Sequence, residues 1–297
     1  MTRANYFIVV LSLFIIWSLF LSKPCSALAP KTFPSFPAIL IFGDSTVDIE
    51  NNNFIHTIFK ANYAPYGKDF LDHVATGRFS DGKLIPDMIA SKLGIKELVA
   101  PFFNPKLSDD DVKIGICFAL AGLGFDNLTS MISNVIRVMK QVDLFKNYIQ
   151  RLQGIVGVDE SKRIIRNALV VISAETNDLN INFYDLPTRQ LQYNISCYKV
   201  VAGLPPVGCL LIQETISFQN PLHQVCLEDQ NSDSEDYNQK LSKLLTNLQS
   251  QLSGSTILYA DIYTPLIDMI NNPKKYGFEH KEKGCCGIGL VEVRPSM

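Results

Sequence analysis

Short apolar runs alternate along the chain with segments in which apolar residues recur every three or four positions. Runs of this length that are continuous in apolar residues are typical of strands buried on both faces. They predict five strands, at Ala38–Phe42, Ile114–Leu120, Ala168–Ser173, Lys199–Leu204 and Thr256–Ala260. Strands that alternate with helices favour an α/β fold, in which helices cover both faces of a parallel sheet.

Two of the intervening segments have a helical period. In the first, the apolar positions are Ile136, Met139, Val142, Phe145, Ile149 and Leu152; in the second, they are Tyr237, Leu241, Leu244 and Leu248. Each spacing predicts an amphipathic helix with one apolar face. Neither an internal repeat nor a linker divides the chain, so we expect a single domain over residues 28–297.

The N-terminal segment has a different pattern. Tyr6 to Ser22 carries no charge, Arg3 precedes it, and small residues up to Ala27 follow Lys23 and Pro24. This order is typical of a secretory signal peptide over residues 1–27, and an uncleaved anchor is the alternative. Since no other stretch is apolar enough to span a bilayer, we expect a secreted, extracellular protein without a stable membrane span.

Secretion affects the interpretation of the seven cysteines, because disulfides form in oxidising compartments. Cys209 and Cys226 flank a loop and are the candidate disulfide. The chain has no Cys-x-x-Cys pair and no histidine cluster, so no metal site is predicted. Asn127 and Asn194 each begin an N-x-S/T triplet and are candidate glycan acceptors.

The net charge bears on nucleic acid as a partner, and polar motifs at the strand ends indicate a candidate site. The net charge is −2 without a basic block, which argues against nucleic acid as a partner. Three predicted strands instead end in unusual chemistry, at Gly43-Asp44-Ser45, at Ala121 to Gly124 and at Asn177-Asp178. The carboxyl ends of parallel strands lie at one edge of the sheet, where ligands bind.

A hydroxyl, a small-residue turn and an amide are the groups that acyl transfer requires. Ser45 would attack a carbonyl carbon, while backbone N–H groups and the Asn177 amide would hold the developing oxyanion. Each motif by itself also fits an ordinary turn or helix cap. Their occurrence in order, at three strand ends, favours a catalytic site.

Longer motifs carry a family resemblance. "FGDSTVDIENNN", "CFALAGLG", "ETND", "GLPPVGCL" and "KYGFEHKEKGCCGIG" occur in this order, between about Pro37 and Gly289. The chain resembles the plant GDSL esterase/lipase family of the SGNH hydrolases. The resemblance implies a flavodoxin-like three-layer α/β/α sandwich with a mostly parallel five-stranded sheet. It also implies Ser45 as the nucleophile, Gly122 and Asn177 in the oxyanion hole, no cofactor, and small-molecule or lipid esters as substrates.

The sequence departs from the family pattern in three respects. The family places its base in a final Asp-x-x-His-Pro block, and none of the four histidines here (His56, His73, His223 and His280) lies in such a block. We therefore expect a fold that is incomplete at its C-terminus, and slow turnover. The segment ahead of "GLPPVGCL" is short for a crossover helix and would leave sheet surface exposed. Glu50 and Glu175 occupy family glycine positions.

Three functional hypotheses follow. The first is a secreted serine ester hydrolase that acts through Ser45. The second is a non-catalytic pseudoenzyme or an ester- or glycan-binding paralogue that retains the cleft. The third is the product of an incomplete gene.

Overall fold

Four parallel strands form the sheet of this computed structural model, which describes residues 34–174, 176–185, 189, 191–192, 203–217 and 225–281. The strands are β1 (Ile39–Gly43), β2 (Ala100–Pro101), β3 (Ile116–Cys117) and β4 (Leu169–Ser173), in the order β2-β3-β1-β4. β1 therefore lies in the middle, with β3 on one side and β4 on the other.

Eight α-helices lie in the described ranges, together with shorter helical turns. They are α1 (Ile85–Lys92), α2 (Asp109–Ile114), α3 (Asn127–Ile132), α4 (Val138–Val156), α5 (Val158–Arg166), α6 (Leu211–Ser217), α7 (Glu228–Gln251) and α8 (Tyr263–Asn271). A π-helical segment runs over Asp178–Asp185, and 3-10 turns lie at Asn51–Phe54, Leu71–His73, Val207–Cys209 and Pro273–Tyr276.

The alternation of side chains along β1 builds two cores. Ile39 and Ile41 pack on one face of the sheet, in a cluster that includes Ala90 of α1. Leu40 packs on the other face, with Tyr148 of α4 in its cluster. Successive side chains of a strand point to opposite faces, so β1 is covered by helices on both sides. This is the α/β arrangement with a parallel sheet that the sequence predicts.

The strand predictions have different outcomes. The predicted strands at Ala38–Phe42, Ile114–Leu120 and Ala168–Ser173 correspond to β1, β3 and β4. The prediction for Thr256–Ala260 is wrong, because this segment is not a strand and Leu258 is 84% exposed. An apolar run becomes a strand only where a neighbouring strand satisfies its backbone groups. Of Lys199–Leu204, residues 199–202 lie outside the described residues, and the other two are not in a strand.

The predicted amphipathic helices are α4 and α7, although part of each predicted apolar face is exposed. Tyr148 and Leu152 of α4 are buried, whereas Met139 is 72% exposed and Gln141 is buried near the start of the helix. In α7, Leu241 is buried and Leu244 is 51% exposed. Helical period identifies these helices, but only the neighbouring elements decide which turns are covered.

The described residues from Phe36 onward belong to one structural unit. Within the described ranges, no helix combines the length and the apolar character that crossing a membrane requires. The predicted signal peptide over residues 1–27 lies outside the described residues.

Candidate active site

The three strand ends with unusual chemistry lie at one edge of the sheet. Ser45 follows β1, Gly122 follows β3 and Asn177 follows β4. Because β3 and β4 each pair in parallel with β1, their carboxyl ends flank that of β1. Gly122 is buried, while Ser45 and Asn177 are half-buried. The topology thus brings a hydroxyl, a glycine turn and an amide to a single edge.

The turn that carries Ser45 is fastened to the end of β4. The Asp44 N–H donates to the Ser173 carbonyl at 2.8 Å, and the Thr46 and Ser173 hydroxyls lie 2.8 Å apart. The Asp44 carboxylate accepts from the N–H and the hydroxyl of Thr46, at 3.0 and 2.8 Å. A Cβ on Gly43 would lie 1.7 Å from the Ser173 carbonyl oxygen, so only glycine permits this close approach.

The structure does not identify a base for Ser45. In the part of the chain that the structure describes, no hydrogen bond joins the Ser45 hydroxyl to a histidine. The described histidines His56, His73 and His280 are exposed, and the His73 ring lies 2.5 Å from the Lys68 carbonyl. His223 lies outside the described residues.

Gly122 lies in a tight turn at the end of β3. Its φ of +80° is in the left-handed region, and a Cβ there would lie 2.8 Å from the Phe59 ring and 3.0 Å from the Ser133 Cβ. Conformation and space both require glycine at this position. Gly122 therefore lies between the loop that contains Phe59 and the end of α3.

Polar residues of the first motif hold this turn in place. The Asn51 amide donates to the carbonyls of Cys117 and Ala119, at 2.9 and 3.0 Å. The Asn52 amide donates to the carbonyls of Phe59 and Ala121, at 2.9 and 3.0 Å. Both side chains are buried. From the sequence, these asparagines are identifiable only as part of the "FGDSTVDIENNN" motif.

Asp48 holds the same turn by accepting from backbone N–H groups. Its carboxylate accepts from the N–H of Asn51 at 2.8 Å and from the N–H of Ala121, next to Gly122, at 3.2 Å. Burial raises the pKa of Asp48 to about 7, although these backbone donors lower it. The carboxyl group therefore titrates close to neutral pH, beside the candidate oxyanion hole.

Asn177 and Asp178 fasten the end of β4 to the loop after Gly122. The Asn177 amide donates to the Leu123 carbonyl at 2.8 Å, which leaves its second N–H hydrogen for another acceptor. The Asp178 carboxylate accepts from the N–H groups of Phe125 and Asp126, at 2.7 and 3.2 Å. Burial raises the pKa of Asp178 to about 6.

Glu50 shows what an acidic residue does at a family glycine position. Its φ is +65°, in the left-handed region that costs a non-glycine residue energy. Its carboxylate pairs with Arg78, which is 4% exposed. The Arg78 guanidinium also bonds the Asp87 carboxylate, with 2.8 Å between the Arg78 Nε and the Asp87 Oδ2. The ion pair thus offsets a strained backbone. Glu175, the second such position, lies outside the described residues.

The remaining candidate sites have separate outcomes. Cys209 and Cys226 form a disulfide, with an S–S distance of 2.08 Å, which is the pairing that the sequence suggests. Asn127 is exposed at the start of α3, whereas Asn194 lies outside the described residues. No group of three or more His, Cys, Asp or Glu residues suited to a metal ion occurs among the residues that the structure describes.

Comparison with known proteins assigns the family. The profile of the GDSL-like lipase/acylhydrolase family matches residues 39–293. A GDSL esterase/lipase of Arabidopsis thaliana is 50% identical, and the alignment covers 96% of this chain and 85% of the relative. A second one is 52% identical over 88% of this chain and 79% of the relative. The chain therefore belongs to the GDSL lipase/acylhydrolase family, a family of esterases and lipases.

Proposed function

We propose that this protein is a secreted serine ester hydrolase that cleaves carboxylic or lipid esters through Ser45. The observation that supports the proposal is that Ser45 follows the central strand β1, while Gly122 and Asn177 follow its two neighbours, β3 and β4. A nucleophile flanked by two sources of N–H donors is the arrangement that acyl transfer requires.

The proposed reaction has two steps. The Ser45 oxygen attacks the ester carbonyl carbon, its proton passes to a base, and the carbonyl oxygen becomes an oxyanion. The Gly122 N–H and the second Asn177 N–H hydrogen would donate to that oxyanion. The intermediate expels the alcohol, which takes up a proton, and leaves an acyl group on Ser45. Water then attacks the acyl group, releasing the acid and restoring the hydroxyl.

The surroundings of this edge support an acyl substrate. Leu120, Leu123 and Ala174 form a buried apolar cluster that begins where β3 and β4 end. Ile55, Phe103, Phe125, Val135, Ile136 and Val138 pack against this cluster. Apolar residues at this edge of the sheet favour a substrate with an acyl chain over a highly charged one.

Secretion with a glycan at Asn127 is part of the proposal. Asn127 is exposed, but the hydroxyl of Thr129 in the same triplet is buried and donates to Asp178. The glycan would therefore be attached before Thr129 is buried by folding. Glycosidase treatment of secreted protein should increase its mobility on a gel. Asn127→Gln should reduce this change, and any change that remains would come from a glycan on Asn194.

The function is tested by covalent labelling and turnover. A fluorophosphonate, which reacts with nucleophilic serines, should label the peptide that contains Ser45, as located by mass spectrometry. Ser45→Ala should lose the label and the hydrolysis of p-nitrophenyl esters, while Ser91→Ala, a matched change on α1, should retain both. General-base assistance contributes about 10²–10⁴-fold to the rate, so an inefficient base gives slow turnover that still depends on Ser45.

The binding paralogue is the second candidate, and the same experiment decides between the two. Labelling elsewhere, or hydrolysis that survives Ser45→Ala, would contradict Ser45 as nucleophile. Absence of both labelling and hydrolysis in the folded protein would favour a protein that retains the cleft without the chemistry.

A further inference from the structure

Exposed apolar side chains border the candidate active site. We define the apolar rim as Phe54, Ile58, Met131 and Ile132, whose exposed fractions are 43%, 73%, 65% and 41%. Phe54 ends the first 3-10 turn, Ile58 lies in the loop that follows it, and Met131 and Ile132 belong to α3. Large apolar side chains that are exposed together mark interaction surfaces.

Two hydrogen bonds hold the halves of the rim together. The Thr57 hydroxyl donates to the Ser133 carbonyl at 2.9 Å, and the Asn134 amide donates to the His56 carbonyl at 2.7 Å. Thr57 and Ser133 are buried, so the first of these contacts is internal, whereas the second lies at the surface. The loop and the end of α3 therefore form one surface.

The rim is continuous with the catalytic edge. Gly122 lies between Phe59, next to Ile58 in the chain, and Ser133, next to Ile132. The Asn52 amide bonds the carbonyls of both Phe59 and Ala121. A molecule seated on the rim would thus lie beside the candidate oxyanion hole.

Cations outnumber carboxylates in the segments that carry the rim. Residues 51–68 and 127–142 contain Lys60, Lys68, Arg137 and Lys140 but no Asp or Glu, although Lys60 donates to the carbonyls of Asn52 and Ile55. The chain as a whole has a net charge of −2, so this excess of cations is local. The carboxylates that flank residues 127–142 are already paired: Asp126 with Arg189, and Asp143 with Lys140 and Lys146.

We propose that the apolar rim is a docking surface for an anionic lipid bilayer, which it brings against the active-site edge. Apolar side chains would enter the interfacial region of the bilayer, while the cations face the lipid phosphates, as in other proteins that bind membrane surfaces. This proposal rests on the proposed function only for the chemistry that follows docking.

Sedimentation with lipid vesicles tests the proposal. The full chain is produced in a secreting host, recovered from the medium, and mixed with vesicles of phosphatidylcholine, with and without phosphatidylglycerol. The rim variant is Ile58→Gln with Met131→Gln. The α7 control, Leu244→Gln with Leu252→Gln, changes one apolar residue of α7 and the residue that directly follows this helix, which are 51% and 45% exposed. All variants share one N-terminus, so differences between them arise from the substitutions.

The rim variant should lower the partition coefficient on phosphatidylglycerol vesicles by about 30-fold or more, because two apolar groups no longer leave water. The α7 control should stay within about twofold of the parent. Arg137→Gln should lower binding to anionic vesicles by roughly fivefold and leave binding to phosphatidylcholine unchanged. Thermal melts should show that all variants remain folded.

Equal sedimentation of parent and rim variant, or an equal loss in the α7 control, would overturn the proposal. So would a parent dimer in vesicle-free ultracentrifugation that the rim variant dissociates, because a second copy would then be the occupant. Vesicle binding by Ser45→Ala is measured in parallel. If the rim binds lipid while hydrolysis does not depend on Ser45, the proposed function fails and the docking surface stands. If hydrolysis depends on Ser45 while the rim variant binds vesicles as the parent does, only the docking surface is rejected.

Discussion

Two regions of this protein differ in how much of their apolar surface they bury. The sheet region, residues 34–174, contains both large cores, and its buried apolar side chains include Ile39, Leu40 and Ile41. The helical region, residues 203–217 and 225–281, buries only Leu204, Val207 and Leu241 among the apolar residues that the structure describes there. Elsewhere in it, Leu244, Leu252 and Leu258 are at least 45% exposed.

The difference shows where this α/β fold obtains its stability. In the sheet region, strands pair and helices cover both faces, so each element buries apolar area against two others. The helical region instead packs on the π-helical segment through a small cluster of Leu179, Phe183, Leu204 and Val207. Burial of apolar area is the main favourable term in folding. The sheet region is therefore expected to be the more stable of the two.

The outer strand of the sheet marks the boundary between the regions. On β4, Val170 is 49% exposed and Ile172 is 61% exposed, although both belong to a continuous apolar run. Their partners on β1 are Leu40, which is buried, and Phe42, which packs against the same core. Apolar side chains of the sheet are therefore exposed on β4.

The largest expected effect is on stability, and it tests whether the two regions differ in buried apolar surface. Ile41→Ala creates a cavity in the sheet region and should lower the free energy of unfolding by about 2–5 kcal/mol. Leu258→Ala, at a position 84% exposed in the helical region, should change it by less than about 0.5 kcal/mol. Urea denaturation measures both. Equal effects would mean that the two regions do not differ as described.

The disulfide provides a second test, within the helical region. Cys209 and Cys226 are 17 residues apart, and closing a loop of that length stabilises by about 3 kcal/mol. Replacing both by serine should lower the protection of the α7 amides against hydrogen exchange. α7 contacts this site because the Gly208 N–H donates to the Asn231 Oδ1 at 3.0 Å. Protection in β1 should be retained; an equal loss there would show that the regions unfold together.

One contribution to the pH dependence of stability should come from Asp48 in the sheet region. The folded pKa of Asp48 is about 7, above its ordinary value of 3.8, so between these values the folded state holds a proton that the unfolded state has released. The contribution of this group is fully present below about pH 4 and is lost as the pH rises through 7, with a slope of at most about 1.4 kcal/mol per pH unit.

Asp48→Asn should remove this slope, so that its stability falls less than that of the parent between pH 4 and 7 in urea titrations. The matched control is Asp268→Asn in the helical region, where Lys275 first, and then Tyr276 and Asn272, lower the pKa of an exposed carboxyl to about 2. This control should keep the parent slope between pH 4 and 7. A parent slope in Asp48→Asn would contradict the role given to burial.

The smallest effect concerns the strained turn of the sheet region. Glu50→Ala removes the ion pair with Arg78 but keeps a side chain at φ +65°, whereas Glu50→Gly removes both the pair and the strain. The glycine variant should therefore be about 1 kcal/mol more stable than the alanine variant. Thermal unfolding of the two variants measures the difference, and equal stabilities would show that the turn is not strained.

Much of the candidate site could be predicted from sequence because its residues lie in local motifs. Ser45, Gly122 and Asn177 each follow an apolar run directly, and parallel pairing brings such positions to one edge whatever the details of packing. The roles of Asp48, Asn51 and Asn52 could not be predicted in this way. Their partners lie near residues 117–121, and only the folded chain shows which carbonyl or N–H each side chain meets.

The sequence by itself determined the family, the α/β alternation, the helices α4 and α7, and the strands that carry the candidate site. Periodicity and turn residues act over a few positions, so they can be recognised in the sequence without knowledge of the fold. Only the tertiary structure decided that Thr256–Ala260 is not a strand, that Met139 and Leu244 are exposed, and that Glu50 is compensated by Arg78. Pairing, burial and charge compensation depend on residues distant in sequence, and these meet only when the chain has folded.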